Sequence, residues 1–180
     1  MVDELALAVK KKQAISENEY TEILDLCSRA YGREDFRHLL ETFKDTIHVL
    51  GRYQQQLVSH ALWITRWLQY PGLPPWRTAY VEAVATDGQY RNRGFATQVM
   101  KRIAEEIVDY DIGGLCTGTS IGLYSRSGWK LWRGPLSIRT EDGMMATPEE
   151  KGVMVLELLK TPNIDLDMPL SAEWREGELW

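Results

Sequence analysis

Tyr80-Val81-Glu82-Ala83-Val84-Ala85-Thr86-Asp87-Gly88-Gln89-Tyr90-Arg91-Asn92-Arg93-Gly94-Phe95-Ala96 is the stretch on which the reading of the fold turns. Its first seven residues are an apolar, strand-like run interrupted by one carboxylate. A polar turn follows, then a basic segment with Gly94, then an amphipathic helix. Ala96, Val99, Met100, Ile103, Ala104, Ile107 and Val108 form one apolar stripe, and Gln98, Lys101, Arg102, Glu105 and Glu106 face away from it. A strand that feeds a basic, glycine-containing turn at the head of a helix is suited to hold a phosphate. The first helical N–H groups have no partner within the helix, and the aligned peptide dipoles favour an anion there. Gly94 lets the backbone approach closely, and Arg91 and Arg93 add charge. As spacing the segment is Arg-x-x-Gly-x-Ala, a pattern also met in turns without a ligand, so its weight rests on context.

Working outward, Leu5-Ala6-Leu7-Ala8-Val9 reads as a first strand. Ser16 and Glu19 form a capping box that opens a helix carrying Tyr20, Ile23, Leu24, Cys27 and Tyr31 at helical spacing, with Gly32 as its stop. Residues 33–46 read as a short helix or an irregular link. Two strands, 47–51 and 57–64, are joined by a polar turn at Gln54-Gln55. Pro71-Gly72-Leu73-Pro74-Pro75 breaks the chain before a strand at 79–86. Beyond the amphipathic helix come a short strand at 115–117, a short helix within 120–127, a strand at 128–132 and a last strand at 153–158. The order βααβββαβαββ predicts an α/β (α+β) fold over 1–180, a single domain with a mixed central sheet flanked by helices.

Composition sets limits on function. The chain has 180 residues, 44% hydrophobic and 26% charged, and a net charge of −5, which argues against a nucleic-acid partner. No apolar run is long enough to cross a bilayer and no secretory leader is evident, so a cytoplasmic protein without a membrane partner is expected. Cys27 and Cys116 make no disulfide framework, and with His38, His48 and His60 outside ligand spacing no metal is expected. Cys27 falls on the apolar face of its helix and reads as core. Residues 141–180 carry ten carboxylate side chains against three Lys or Arg. That acidic tail, with Trp174 and Trp180, reads as packed and fit either to attract a small cation or simply to be solvated.

The element order, together with Arg91-Asn92-Arg93-Gly94-Phe95-Ala96 between strand and helix, resembles the GNAT superfamily of N-acetyltransferases and its acyl-CoA pyrophosphate loop. Leu123-Tyr124-Ser125-Arg126-Ser127-Gly128-Trp129 is similar to that superfamily's Leu-Tyr-x-x-x-Gly-Trp/Phe segment. The resemblance implies acetyl-CoA as co-substrate, held by Arg91, Asn92, Arg93, Gly94, Phe95, Ala96 and Thr97, with Val84, Ala85 and Thr86 pairing with its pantetheine arm. It also implies that Tyr124 protonates the departing thiolate. Tyr80-Val81-Glu82-Ala83-Val84, the Tyr124 segment and Trp174-Arg175-Glu176-Gly177-Glu178-Leu179-Trp180 resemble one branch, the aminoglycoside 2′-N-acetyltransferases. There the tail's acid and final Trp lie against the aminoglycoside. Asp35-Phe36 is similar to an early Asp-Phe of that branch. Residues 37–41 depart from its pattern, and Glu178 stands where the branch usually has Asp. A reshaped acceptor pocket suggests a kasugamycin-type substrate.

The chemistry agrees with the resemblance. A protonated amine is no nucleophile, so a carboxylate must take its proton directly or through water, and Glu82 is the candidate base; the competing reading is a strand Glu facing outward. A buried Tyr124 reads either as the acid or as core. A strand N–H, that of Val84, would meet the oxyanion. No covalent intermediate is needed. A cationic acceptor requires carboxylates and flat walls: Asp35, Glu82, Glu178, either Glu149 or Glu150, and Trp180, with Thr117 as a further hydrogen-bonding candidate. Trp63, Trp67, Trp76, Trp129 and Trp132 read as core or sheet-flanking. The expected activity is acetyl transfer to an aminoglycoside amine, with antibiotic resistance as its consequence and a homodimer as a possible assembly. Two alternatives stand beside it: acetylation of another polyamine or amino sugar, and a non-catalytic acyl-CoA sensor.

Overall fold

The structure, a computed structural model, describes residues 4–34 and 36–180. Asp35, one of the candidate acceptor carboxylates, lies outside the described residues. The chain forms two compact units, Met1–Ile64 with Val81–Glu106 and Thr65–Tyr80 with Ile107–Trp180.

The first unit contains β1 (Ala6–Lys11), α1 (Glu17–Tyr31), α2 (Phe36–Thr42), β2 (Ile47–Tyr53), most of β3 (Gln56–Leu68), the second half of β4 (Trp76–Thr86) and α3 (Phe95–Glu106). Its strand order is β1-β2-β3-β4. The expected start and stop of α1 are both present. Ser16 Oγ accepts from the Glu19 N–H at 3.2 Å, Glu19 Oε2 accepts from the Ser16 N–H at 3.0 Å, and Gly32 closes the helix at φ 65. Ile23, Leu24, Leu26 and Cys27 form its buried face, so Cys27 is core, and burial pushes its thiol up to about 12. Gln54 and Gln55 turn the β2–β3 hairpin at φ 49 and 71, the left-handed pair whose twist suits adjacent strands.

That hairpin contains a register shift. Arg52 faces Leu57, but Gly51 faces Ser59, which inserts one extra residue on β3. A shift of one residue exchanges the faces of a strand. Here it sets His48, opposite Leu62, and His60, opposite Leu50, on the same face. Both are buried.

The second unit holds the remainder of β3 and β4 together with β5 (Ile112–Cys116), α4 (Ile121–Ser125), β6 (Lys130–Leu131), β7 (Leu136–Thr140), β8 (Gly143–Ala146), β9 (Val153–Glu157) and β10 (Leu170–Glu173). Strand order is β4-β5-β9-β6, with a separate three-stranded sheet β10-β7-β8 that the sequence reading did not anticipate. Its core gathers Leu68, Trp76, Ile112, Trp132, Ile138, Val153, Leu170 and Trp180 among others. Strands β3 and β4 are longer than expected. On β3 the added residues include Arg66, wholly buried, whose guanidinium donates to Leu179 C=O at 2.9 Å, Glu173 C=O at 2.8 Å and Glu173 Oε1 at 3.3 Å. The mixed α/β architecture predicted from the element order is the one found. Among the described residues no helix is long and apolar enough to cross a membrane.

Candidate active site

Strand β4 supplies the first group of candidate residues. Glu82 is half-buried in a run whose neighbours Val81 and Ala83 are buried. Ala83 has φ 53, a left-handed conformation rarely taken by a residue other than glycine and foreign to a regular strand. It rotates the backbone in the middle of β4. The carbonyls that follow are held one by one from the neighbouring elements. His60 Nδ1 lies 3.0 Å from Ala83 C=O, Tyr31 Oη donates to Val84 C=O at 2.9 Å, and Ser59 Oγ donates to Ala85 C=O at 3.2 Å. Thr86 Oγ1 is 2.9 Å from Ser59 Oγ. The segment expected to pair with an acyl-CoA arm is therefore held against β3 and α1 by side chains, with its conformation set at Ala83.

Beyond β4 the chain turns tightly into α3. Asp87 accepts from the Gln89 N–H at 2.9 Å and pairs with Arg29 at 2.9 Å. Asn92 and Gly94 take φ 63 and 78, and Gly94 C=O accepts the first helical bond, from the Gln98 N–H at 3.0 Å. Arg91, Asn92, Arg93, Gly94 and Thr97 are exposed, Ala96 is half-buried and Phe95 is buried. A Cβ at Gly94 would meet nothing within 4 Å, so open space lies over the turn. Phe95 anchors it from below: its ring lies 5.5 Å from Tyr53 and 6.3 Å from Tyr90, and the Arg93 guanidinium covers Tyr90 at 5.2 Å. The result is a rigid, basic, exposed turn at a helix N-terminus, which is what binding a pyrophosphate requires.

The second unit carries the remaining candidates. Tyr124 lies on α4, buried, its ring 6.5 Å from Trp129, and burial pushes its phenol up to about 12. It keeps its proton at neutral pH, as any phenol does, and burial makes it a weaker acid than a free tyrosine. Thr117 stands just past β5, where its Oγ1 accepts from the Ser120 N–H at 3.0 Å and so heads the turn into α4. Glu149 is exposed, whereas Glu150 accepts from Cys116 Sγ at 3.3 Å.

In the tail, Glu178 is exposed and its C=O accepts from Arg175 Nε. Trp180 was expected to offer a flat wall. Instead its side chain packs in the core, 4% exposed, with Nε1 donating to Thr147 Oγ1 at 3.0 Å, while Trp174 is 57% exposed. Of the other tryptophans, Trp63, Trp76, Trp129 and Trp132 are buried as expected, and Trp67 lies half in solvent.

Two features escaped sequence reading. One is the buried pair His48 and His60, 3.0 Å apart, because the register shift that unites them leaves no mark in the residue pattern. The other is a cavity of about 270 Å3 lined by Lys12, Ile15, Tyr20, Leu40, Thr46 and His48 among others. Among the described residues no group of three or more His, Cys, Asp or Glu is arranged to hold a metal ion.

Comparison with known proteins bears on the family and the fold. Residues 12–132 match the family described as the acetyltransferase (GNAT) domain. The chain is 32% identical over 139 residues to an aminoglycoside 2′-N-acetyltransferase of Mycolicibacterium fortuitum, covering 74% of this chain and 71% of that protein. Among solved structures it is similar to the GNAT family N-acetyltransferase YhbS of Escherichia coli, solved in complex with CoA, with TM-score 0.65 and 16% identity over 96% of this chain and 91% of that one. It is also similar to Eis1 of Mycobacterium abscessus, with TM-score 0.59 and 19% identity over 73% of this chain. There it spans about a third, 33%, of the longer protein.

Proposed function

The chain belongs to the GNAT acetyltransferase family, and from that premise we propose that it transfers the acetyl group of acetyl-CoA to an amino group of an aminoglycoside, the 2′-amine. The observation that carries the donor half is the exposed Arg91–Gly94 turn heading α3, with Gly94 at φ 78 and open space above it. A relative that shares this fold was solved with CoA, which supports the same assignment. The acceptor half is supported by the 32% identical aminoglycoside 2′-N-acetyltransferase and by the acidic tail.

When bound, acetyl-CoA supplies an activated thioester whose carbonyl accepts the amine and whose thiolate leaves. The protein supplies the rest. Arg91, Arg93 and the first N–H groups of α3 hold the pyrophosphate, and Val84, Ala85 and Thr86 align the pantetheine arm. Glu82 takes the ammonium proton, directly or through one water, and so frees the lone pair that attacks. The Val84 N–H faces the oxygen on which negative charge develops. Tyr124 gives its proton to the leaving thiolate. Glu82, Glu149 and Glu178 neutralise the remaining ammonium groups of the acceptor, and Asp35 belongs to the same set. Trp180, from within the core, anchors the segment that presents Glu178. Acetylation removes a positive charge from the antibiotic, and resistance is the proposed consequence.

The test is thiol release from acetyl-CoA with a panel of aminoglycosides that includes kasugamycin, followed by locating the acetylated nitrogen by NMR. Turnover with at least one aminoglycoside at a 2′-amine is expected. Turnover confined to other polyamines or amino sugars would overturn the acceptor class, and tight acyl-CoA binding without turnover of any amine would make the protein a sensor.

A further inference from the structure

The buried histidines of the first unit form a directed chain that ends on the peptide assigned above as the oxyanion donor. Thr46 Oγ1 is 2.7 Å from His48 Nε2, His48 Nδ1 is 3.0 Å from His60 Nε2, and His60 Nδ1 is 3.0 Å from Ala83 C=O. The direction of every link follows from the last. A carbonyl oxygen only accepts, so His60 carries its proton on Nδ1 and its Nε2 accepts. His48 must then donate from Nδ1, its Nε2 accepts in turn, and the Thr46 hydroxyl donates. Each imidazole has one donor and one acceptor site filled, which is the neutral form. Cys27 Sγ, 3.7 Å from His60 Nδ1, is a weaker and longer partner for the same proton.

The end of the chain matters because Ala83 C=O and Val84 N–H belong to one peptide group. In a trans peptide these two bonds point in opposite directions within one plane. Holding the carbonyl inward on His60 therefore aims the Val84 N–H the other way. The restraint is needed because Ala83, at φ 53, holds a conformation that a non-glycine residue leaves when released. Donation to the carbonyl also polarises the amide and strengthens its N–H as a donor.

We propose that His60 is a positioning residue for acetyl transfer: its Nδ1–H grips Ala83 C=O, fixes the left-handed kink of β4 and thereby orients the Val84 N–H toward the thioester oxygen. His48 and Thr46 set the tautomer that makes this possible. The inference rests on the acetyl-transfer reading given above. The donor is a β4 peptide, and what holds that peptide is the histidine pair.

Two variants and one spectroscopic measurement test it. His60→Leu removes the donor while keeping bulk, and His60→Asn carries an amide N–H where Nδ1 stood. The leucine variant should lose about tenfold or more in kcat, with KM for acetyl-CoA and amine changed less than about threefold, since donors of this type act on the transition state. The asparagine variant should recover most of that loss. A leucine variant that folds and turns over within about twofold of the parent, or an asparagine variant no better than it, overturns the proposal.

Because His60→Leu can fail to fold, the parent protein is also studied by 15N–1H correlation NMR. His60 should carry its proton on Nδ1 with Nε2 bare, and the Val84 amide proton should move downfield when an acetyl-CoA analogue lacking the thioester sulfur binds. A proton on Nε2 overturns the proposal, as does an unmoved Val84 amide while the amides at the head of α3 respond. If no amide at the head of α3 responds either, it is the donor assignment that fails, and the role of His60 falls with it.

Discussion

At the scale of the residue, Ala83 carries strain that glycine would not. An L residue at φ 53 stores roughly 1 kcal/mol that glycine would not. Ala83→Gly should therefore leave the melting temperature unchanged or raise it and keep kcat within about twofold, because glycine takes the same left-handed conformation without strain and His60 still holds the Ala83 carbonyl. Ala83→Val, with a branched side chain in the same conformation, should destabilise the fold outright. Thermal melts and steady-state kinetics on the two variants check this, and a large fall in kcat for Ala83→Gly would mean that the side chain at 83, not the His60 grip, holds the peptide.

Glu82 and Tyr124 make separate contributions. Glu82→Gln should lower kcat by roughly a hundredfold and Tyr124→Phe by a smaller factor, with little effect on melting for Glu82, whose side chain is half exposed. The pH profile carries the sign. A phenol at its ordinary 10.0 would begin to withdraw its proton above pH 9, whereas Tyr124, pushed up to about 12, does not. The parent rate should show no descending limb from Tyr124 across pH 8 to 10, measured as kcat against pH. A limb in that range that vanishes in Tyr124→Phe would contradict the raised value while leaving Tyr124 as the acid.

At the scale of the element, the head of α3 is the proposed donor site, where charge and backbone conformation meet. Arg91→Ala should raise KM for acetyl-CoA several-fold with kcat nearly unchanged, since the pyrophosphate contact is the same in ground and transition states. Gly94→Val should do more, because φ 78 costs a branched residue about 1–2 kcal/mol and the side chain enters the open space above the turn. Titration with CoA alone reads both effects without turnover, and equal affinity for parent and Gly94→Val would remove the turn from the donor site.

This element was legible in sequence because everything that defines it is local: strand, basic turn, glycine, stripe. So was α1, whose cap Ser16, partner Glu19 and stop Gly32 lie within one helix length. The strands β7, β8 and β10 were not legible. Leu170-Ser171-Ala172-Glu173 becomes a strand only through parallel pairing with Leu136–Arg139, more than thirty residues earlier, and through Arg66 holding Glu173. The histidine chain was hidden for a similar reason. A one-residue register shift, not a motif, turns His48 and His60 to one face. Local chemistry marked the donor side of the candidate site, whereas long-range pairing shapes what surrounds it.

At the scale of the whole molecule, each unit buries polar groups on which its stability depends. In the first, desolvation lowers His48 from its ordinary 6.5 to about 4 and His60 to about 3, with Lys12 adding to the shift of His48 and His48 itself to that of His60. The unfolded chain takes up these protons below pH 6.5 while the folded chain refuses them until about 4 and about 3. Stability is thus full above pH 6.5 and falls as the pH drops through that window, at up to roughly 1.4 kcal/mol per pH unit for each histidine. Urea midpoints at pH 7, 6 and 5 check this above the range where most carboxylates titrate, and a flat midpoint would mean that the pair is not buried neutral.

In the second unit the C-terminal segment is at once a structural plug and the candidate acceptor site. Trp180 fills the core, Arg175 donates to Trp180 C=O at 3.2 Å, and Leu179 C=O receives the buried Arg66 guanidinium. Deleting residues 174–180 removes a large buried aromatic side chain and one acceptor of an interior cation. The melting temperature should fall by several degrees, in line with a loss of about 3 kcal/mol or more. Loss of acceptor binding in that truncation would therefore say nothing about recognition. Glu178→Gln distinguishes the two roles: its side chain is exposed, so melting should hold, while KM for the aminoglycoside should rise several-fold and the effect should shrink at high salt, as it does for a charge pair in water. If KM and its salt dependence are unchanged in Glu178→Gln while the truncated protein melts early, the tail is a plug alone.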